Sequence, residues 1–231
     1  MDTRKITRRE AVGMLGAAGA AMAVGCSSET PTSPTAAATG GATAACAVAP
    51  TETIGPYPSL VDLIRSDIRE GRTGTAVALT LTVVNVNNGC NPVADAVVDI
   101  WQCDAEGHYS QYNQPGYNGT AQTFLRGIQA TDSRGQVTFT TIYPGWYAGR
   151  ATHIHVEVSV NGRSVKVTQI AFPETVNAEV YRSGVYAARG LNPTSNAGDM
   201  VFADSVSSEL ATVSGNPAGG YAAAFTVGIA V

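Results

Sequence analysis

The sequence predicts a mainly β protein, an antiparallel β-sandwich whose strands are joined by long loops. Three observations predict it. Apolar runs of strand length recur along the chain, closed by Gly, Asn, Pro and Asp turns. No stretch carries a long helical repeat. The composition is rich in Ala, Gly, Val and Thr, with 14% charged residues, which suits a β domain with many turns. A chain of 231 residues can build one large domain or two small ones, and no internal repeat divides it.

The first residues read as targeting, not fold. Arg4, Lys5, Arg8 and Arg9 form a basic head, and an apolar run from Ala11 to Gly25 follows. The run is too short for a transmembrane helix and fits an export signal. Arg8-Arg9 after Thr7 resembles a twin-arginine signal, although Glu10-Ala11-Val12 is less hydrophobic than the usual continuation. Ala23-Val24-Gly25-Cys26 resembles a lipobox, with Ala where Leu is commoner. The preferred expectation is a lipoprotein: residues 1–25 are removed and Cys26 carries a lipid, the one membrane contact. The alternative is small-residue cleavage nearby and a soluble product. Either way the domain works outside the cytoplasm, in the cell envelope, the periplasm or the medium. Removing four basic and two acidic residues leaves 10 basic against 16 acidic, with Lys166 as the remaining lysine. No basic patch survives, which excludes nucleic acid as a partner. Residues 26–45 are Ser, Thr, Pro, Ala and Gly, a disordered tether that cannot bury a core.

The folded domain spans residues 46–231. TETIGPYPSL is an irregular arm, because its Gly and two prolines exclude helix and regular strand. IRSDIREG is short and polar. Ala76 to Val86 is a strand closed by Asn87-Asn88-Gly89, and Val93 to Trp101 is a second. Trp101 reads as core. The segment DAEGHYSQYNQPGYNGT is a long loop. Phe124 to Thr131 and Gln136 to Ile142 are strands around the Asp132-Ser133-Arg134-Gly135 turn. Pro173 to Pro217 has a weak pattern, with one short helix expected near Ser205 to Thr212. Tyr221 to Val231 is a further strand.

The stretch PGWYAGRATHIH organises the rest. Asn161-Gly162 is a two-residue turn signal, so THIHVEVSVNGRSVKVTQI is a hairpin. Ile154, Val156, Val158 and Val160 share its core face. His153, His155, Glu157 and Ser159 share the other, with Glu157 facing Lys166. Two imidazoles side by side on a strand begin a metal site. The alternative is a pair of surface or hydrogen-bonded histidines. Tyr147 and Arg150 lie just upstream, on the turn.

Cys90 and Cys103 flank one strand, too far apart to pair with each other. Cys46 can pair with either. The preference is Cys46–Cys103, because Cys103 lies at the strand end where the arm is expected.

TETIGPYP, RSDIREGRTG, VADAVVDIWQCDAEGHYSQY, FLRGIQATDSRGQVTFTTIYPGWYAGRATHIHVEV and VTQIAFP, in this order, resemble the intradiol ring-cleavage dioxygenases. The likeness covers residues 46 to 230 and is nearest to exported, single-domain members. It implies one non-haem ferric iron per domain, held by Tyr109, Tyr147, His153 and His155. It picks those tyrosines from nine, which the residues alone do not. Phenolate oxygen with imidazole suits ferric iron. The resemblance also implies that Arg150 stabilises the catecholate and anionic intermediates, its alternative being a salt bridge that holds the loop. Gln169 matches a polar active-site residue, although the hairpin register places it opposite Ile154 on the core face unless a bulge intervenes. Gly55, Pro56 and Tyr57 match an arm beside the substrate pocket, or else a rigid arm packed on the sandwich. His108 is expected to face solvent or to support Tyr109.

The implied reaction inserts both atoms of O₂ into a catechol between its two hydroxyl-bearing carbons and gives a muconate, with Tyr147 displaced by substrate. The resemblance also implies a homo-oligomer, since members often assemble. Two rivals compete. A zinc hydrolase would use His153, His155 and His108 and leave the tyrosines without a role. A non-catalytic surface-binding sandwich would keep the fold alone.

Overall fold

Alternation builds the first sheet. Strand β1 (Ala76–Asn85) buries Val77, Leu79, Leu81 and Val83 and turns the residues between them outward. It pairs antiparallel with β2 (Asn91–Pro92) and with β7 (Gln136–Ile142). On its other side it pairs with β11 (Gly220–Ile229), which pairs antiparallel with β10 (Thr212–Asn216). The β1–β11 pair is parallel, a departure from the all-antiparallel expectation. The structure, a computed structural model, describes residues 46–231. The expected export signal 1–25, the Cys26 lipid and the tether 26–45 lie outside the described residues.

The second sheet is antiparallel, in the order β6 (Arg126–Ala130), β3 (Val97–Trp101), β8 (His153–Val160), β9 (Arg163–Ala171). Val98, Ile100, Ile154 and Val156 from this sheet join Leu79, Leu81 and Phe139 from the first in one core cluster. That makes the sandwich, and neither sheet closes into a barrel. The long loop after β3 carries a small hairpin, β4 (Asn113–Gln114) and β5 (Tyr117–Asn118).

Three expectations need correction here. The helix α1 is Glu174–Val180, not Ser205 to Thr212, where Val206–Ser208 forms one 3₁₀ turn. Pro173 caps α1 and Glu174 sits in its first turn, whereas serines favour turns over helix. Strand β10 was unforeseen because TVSGN is polar and holds a glycine. The disulfide joins Cys46 to Cys90, with Cα atoms 5.8 Å apart, and not to Cys103. The Ala49 N–H donates to Gly228 O at 2.9 Å, so the arm starts at the β1–β2 turn, while Cys103 is free and buried beside Tyr109.

The hairpin register also differs. A bulge between Val158 and Ser159, with Val165 as the extra residue on β9, leaves Val158, not Glu157, opposite Lys166, and it brings Gln169 opposite His155. Gln169 therefore lies on the histidine face. That face is covered by the arm. Glu52 N–H donates to Val167 O, Lys166 Nζ donates to Ala49 O at 2.8 Å, and Gln169 Nε2 donates to Thr53 O at 2.9 Å.

Candidate metal centre

Strand alternation sets His153 and His155 on the same face of β8, and Gly55 of the arm with Trp101, Tyr109, Tyr147 and Phe202 packs around them, leaving 3% and 1% exposure. His153 Nδ1 lies 2.6 Å from Ala151 O. A carbonyl only accepts, so Nδ1 carries the proton and Nε2 presents a lone pair. Trp101, on β3 in register with His155, stacks on the His155 ring at 4.9 Å and 3°. It belongs to a cluster with Cys103 and Tyr109, so it supports the site rather than the main core.

Tyr109 reaches this spot from the loop after β3. Asp104 turns that loop by accepting the N–H groups of Glu106 and His108 at 3.0 and 2.9 Å. Tyr147 comes from the loop before β8. The two phenol oxygens lie 3.5 Å (Tyr109) and 3.3 Å (Tyr147) from His153 Nε2, which is 3.2 Å from His155 Nε2. Donors held about 2 Å from one ion stand roughly 3 Å apart, so these four groups fit a single metal ion. Two hard phenol oxygens with two imidazoles suit ferric iron.

The electrostatics agree. Burial pushes Tyr109 well above the usual phenol range, and the nearby Tyr147 adds to it. Burial also pushes Tyr147 up to about 12, against the pull of Arg150. Burial, then the Arg150 charge, depresses His153 to about 3, and His155 is held well below 6.5. At neutral pH the imidazoles are free to ligate, and the phenols need a strong cation to ionise them.

Arg150 donates to Gln169 Oε1 at 2.6 Å and to Asp199 at 2.9 Å. Gly55 packs on the His155 ring with φ +74°, and a Cβ there would lie 2.8 Å from His155 Cε1. Tyr57 rests on Tyr109 with ring centroids 4.9 Å apart, while Pro56 is exposed. His108 stacks on Tyr117 and faces Asp104 and Glu106, apart from the His153–His155 pair.

Two further residues, Arg126 and Asp199, shape the site. Arg126 is buried and donates to Tyr57 O at 2.9 Å and Ser110 O at 2.7 Å, which ties the arm to the Tyr109 loop. A signal existed, an arginine inside the apolar run FLRGI. Asp199 is the other, and nothing local in its loop marks it.

A family model described as dioxygenase matches residues 57–190, more than half of the chain, and the chain belongs to that family. Within it the chain is placed among the intradiol ring-cleavage dioxygenases. The solved intradiol ring-cleavage dioxygenase of Tetranychus urticae is 30% identical, with a TM-score of 0.73 over 80% of this chain and 95% of that one. The catechol 1,2-dioxygenase of Candida albicans is 33% identical over 39% of this chain and 36% of its own length. The protocatechuate 3,4-dioxygenase beta chain of Burkholderia cepacia is 31% identical over 53% of this chain and 54% of its own. The chain thus spans about half or less of these curated relatives.

Proposed function

We propose that this protein cleaves a catechol-type ring between its two hydroxylated carbons, consuming one O₂ and giving a muconate-type product. The observation that carries the proposal is the convergence of Tyr109, Tyr147, His153 and His155 on one buried point. Iron bound there would supply the site that takes up the two catechol oxygens and makes the ring reactive to O₂. Both oxygen atoms enter the product, so the reaction needs no external reductant.

The chain's own residues divide the work. Tyr109 is fully buried, whereas Tyr147 is half-buried beside the exposed Ala148 and Gly149. Tyr147 is therefore the phenolate that can swing away, and its Oη can take a proton from an incoming catechol hydroxyl. Arg150 lies beside it with a fixed positive charge, placed to offset the negative charge of the bound catecholate. Trp101, Tyr57 and Gly55 wall the site and exclude water.

The visible spectrum of the iron-loaded protein tests this. A broad tyrosinate-to-iron band is expected, shifting to longer wavelength when catechol is added without air. Y109F and Y147F should each weaken the band. A protein that stays colourless after iron loading would sink the proposal. Export and the Cys26 lipid belong to the same proposal and rest on residues 1–26. The mass of the mature N-terminal peptide tests them. Sedimentation of the purified domain tests the homo-oligomer.

A further inference from the structure

One carboxylate organises the groups around Arg150. The Arg150 Nε–H donates to both oxygens of Asp199, at 2.9 Å to Oδ2 and 3.2 Å to Oδ1. Oδ2 also accepts the Ala151 N–H at 2.5 Å, and Oδ1 accepts the Val201 N–H at 2.7 Å. The Ala151 carbonyl in turn accepts the His153 Nδ1–H. Asp199 is wholly buried. Burial pushes its carboxyl up, but the two backbone N–H groups and Arg150 outweigh this and hold it below the usual range. It stays an anion. The residue lies beyond the matched segment 57–190, on a loop with only a short 3₁₀ turn before it.

We propose that Asp199 is a positioning residue: its carboxylate fixes the direction of the Arg150 guanidinium toward the substrate. The proposal rests on the dioxygenase reading. An arginine side chain is flexible, and its rotamer entropy opposes holding it still. Asp199 takes Nε and Gln169 takes one Nη2 hydrogen, which leaves the guanidinium edge beside the Tyr147 phenol to meet an anionic substrate. A charge fixed before the substrate arrives needs no reorganisation during reaction. Gln169 shares the task from the other side, and its Nε2 is held by Thr53 O. The arm, β9 and the 199 loop thereby meet at one guanidinium.

The test has two arms. In the iron-free, unmutated chain the Arg150 Nε–H resonance, identified by its loss in R150K, should exchange with water at least ~10-fold more slowly than that of the exposed Arg163. Equal exchange rates overturn the proposal without any variant of Asp199. In D199N the side chain keeps its shape but offers one acceptor oxygen where three N–H groups need two. Exchange at Arg150 should then quicken ~10-fold, and kcat of the iron-loaded enzyme should fall ~10–100-fold with a smaller change in KM. The tyrosinate band should stay. R150A and R150A/D199N should be equally slow, because Asp199 acts through Arg150. Losses that multiply overturn the proposal. Slow exchange in a protein that neither colours nor cleaves catechol would instead bring down the dioxygenase reading, and this role with it.

Discussion

The two sheets follow the same alternation and come to different ends. On β1 the outward residues Ala76 and Ala78 meet solvent. On β8 the residues that face away from the core, His153, His155, Glu157 and Ser159, are all buried. The difference is the cover. The arm from Ala49 to Tyr57 bonds to the second sheet at Lys166, Val167 and Gln169, and with Tyr109, Tyr147 and Phe202 it covers the histidine face. Cover turns a polar face into a site. It removes water, keeps both imidazoles neutral, and lifts the phenols until only a cation can ionise them.

The largest expected effect comes from untying the cover at its root. The Cys46–Cys90 bond closes a 44-residue separation between the arm and the β1–β2 turn. Chain entropy over such a loop is worth about 4 kcal/mol, so C46A/C90A should lose stability of that order in urea unfolding. A pair of glycines separates strain from contact. Gly71 and Gly55 both have φ +74°, but nothing lies within 4 Å of a Cβ at Gly71. G71A should cost about 1 kcal/mol and leave the tyrosinate band alone. G55A should cost roughly 2–3 kcal/mol and weaken iron binding ~10-fold, since its methyl meets His155. Equal effects would mean that the arm does not press on the site.

The cover also predicts a pH dependence. Glu209 is buried under the arm, and burial, then its neighbour Glu52, push its carboxyl from 4.5 up to about 7, against a hydrogen bond from Ser205. The folded state then holds a proton that the unfolded state releases. This contribution is complete below about pH 4.5 and is lost as pH rises through about 7. The loss is on the order of 3 kcal/mol, and E209Q should flatten that part of the pH–stability curve. The smallest effect belongs to the open sheet. The Thr80 and Thr138 hydroxyls pair at 3.1 Å on its outer face. T80V should change stability by less than about 0.5 kcal/mol, because water replaces the lost partner.

Most of the sandwich was legible because its signals are local. Asn161-Gly162 announced the hairpin, and Gln136 to Ile142 was placed to the residue. What failed depended on long-range contacts. A single bulged residue moved Gln169 from the core face to the histidine face, and no turn signal marks a bulge in mid-hairpin. Cys46 followed the path of the arm, which is set by the Ala49–Gly228 bond rather than by spacing. The four candidate ligands are legible through motif resemblance, and the geometry brings them together. Asp199 had no such motif. Its role exists only because the fold places its loop against Arg150.

The parallel pairing of β1 with β11 has a consequence for synthesis. Val77 pairs with Tyr221, 144 positions further on, and β11 lies between β1 and β10. The first sheet therefore cannot close until the chain has been made past residue 229. Until then Leu79, Leu81 and Val83 line a strand with one side unpaired. Such distant pairing folds slowly and leaves the nascent chain prone to aggregate through β1.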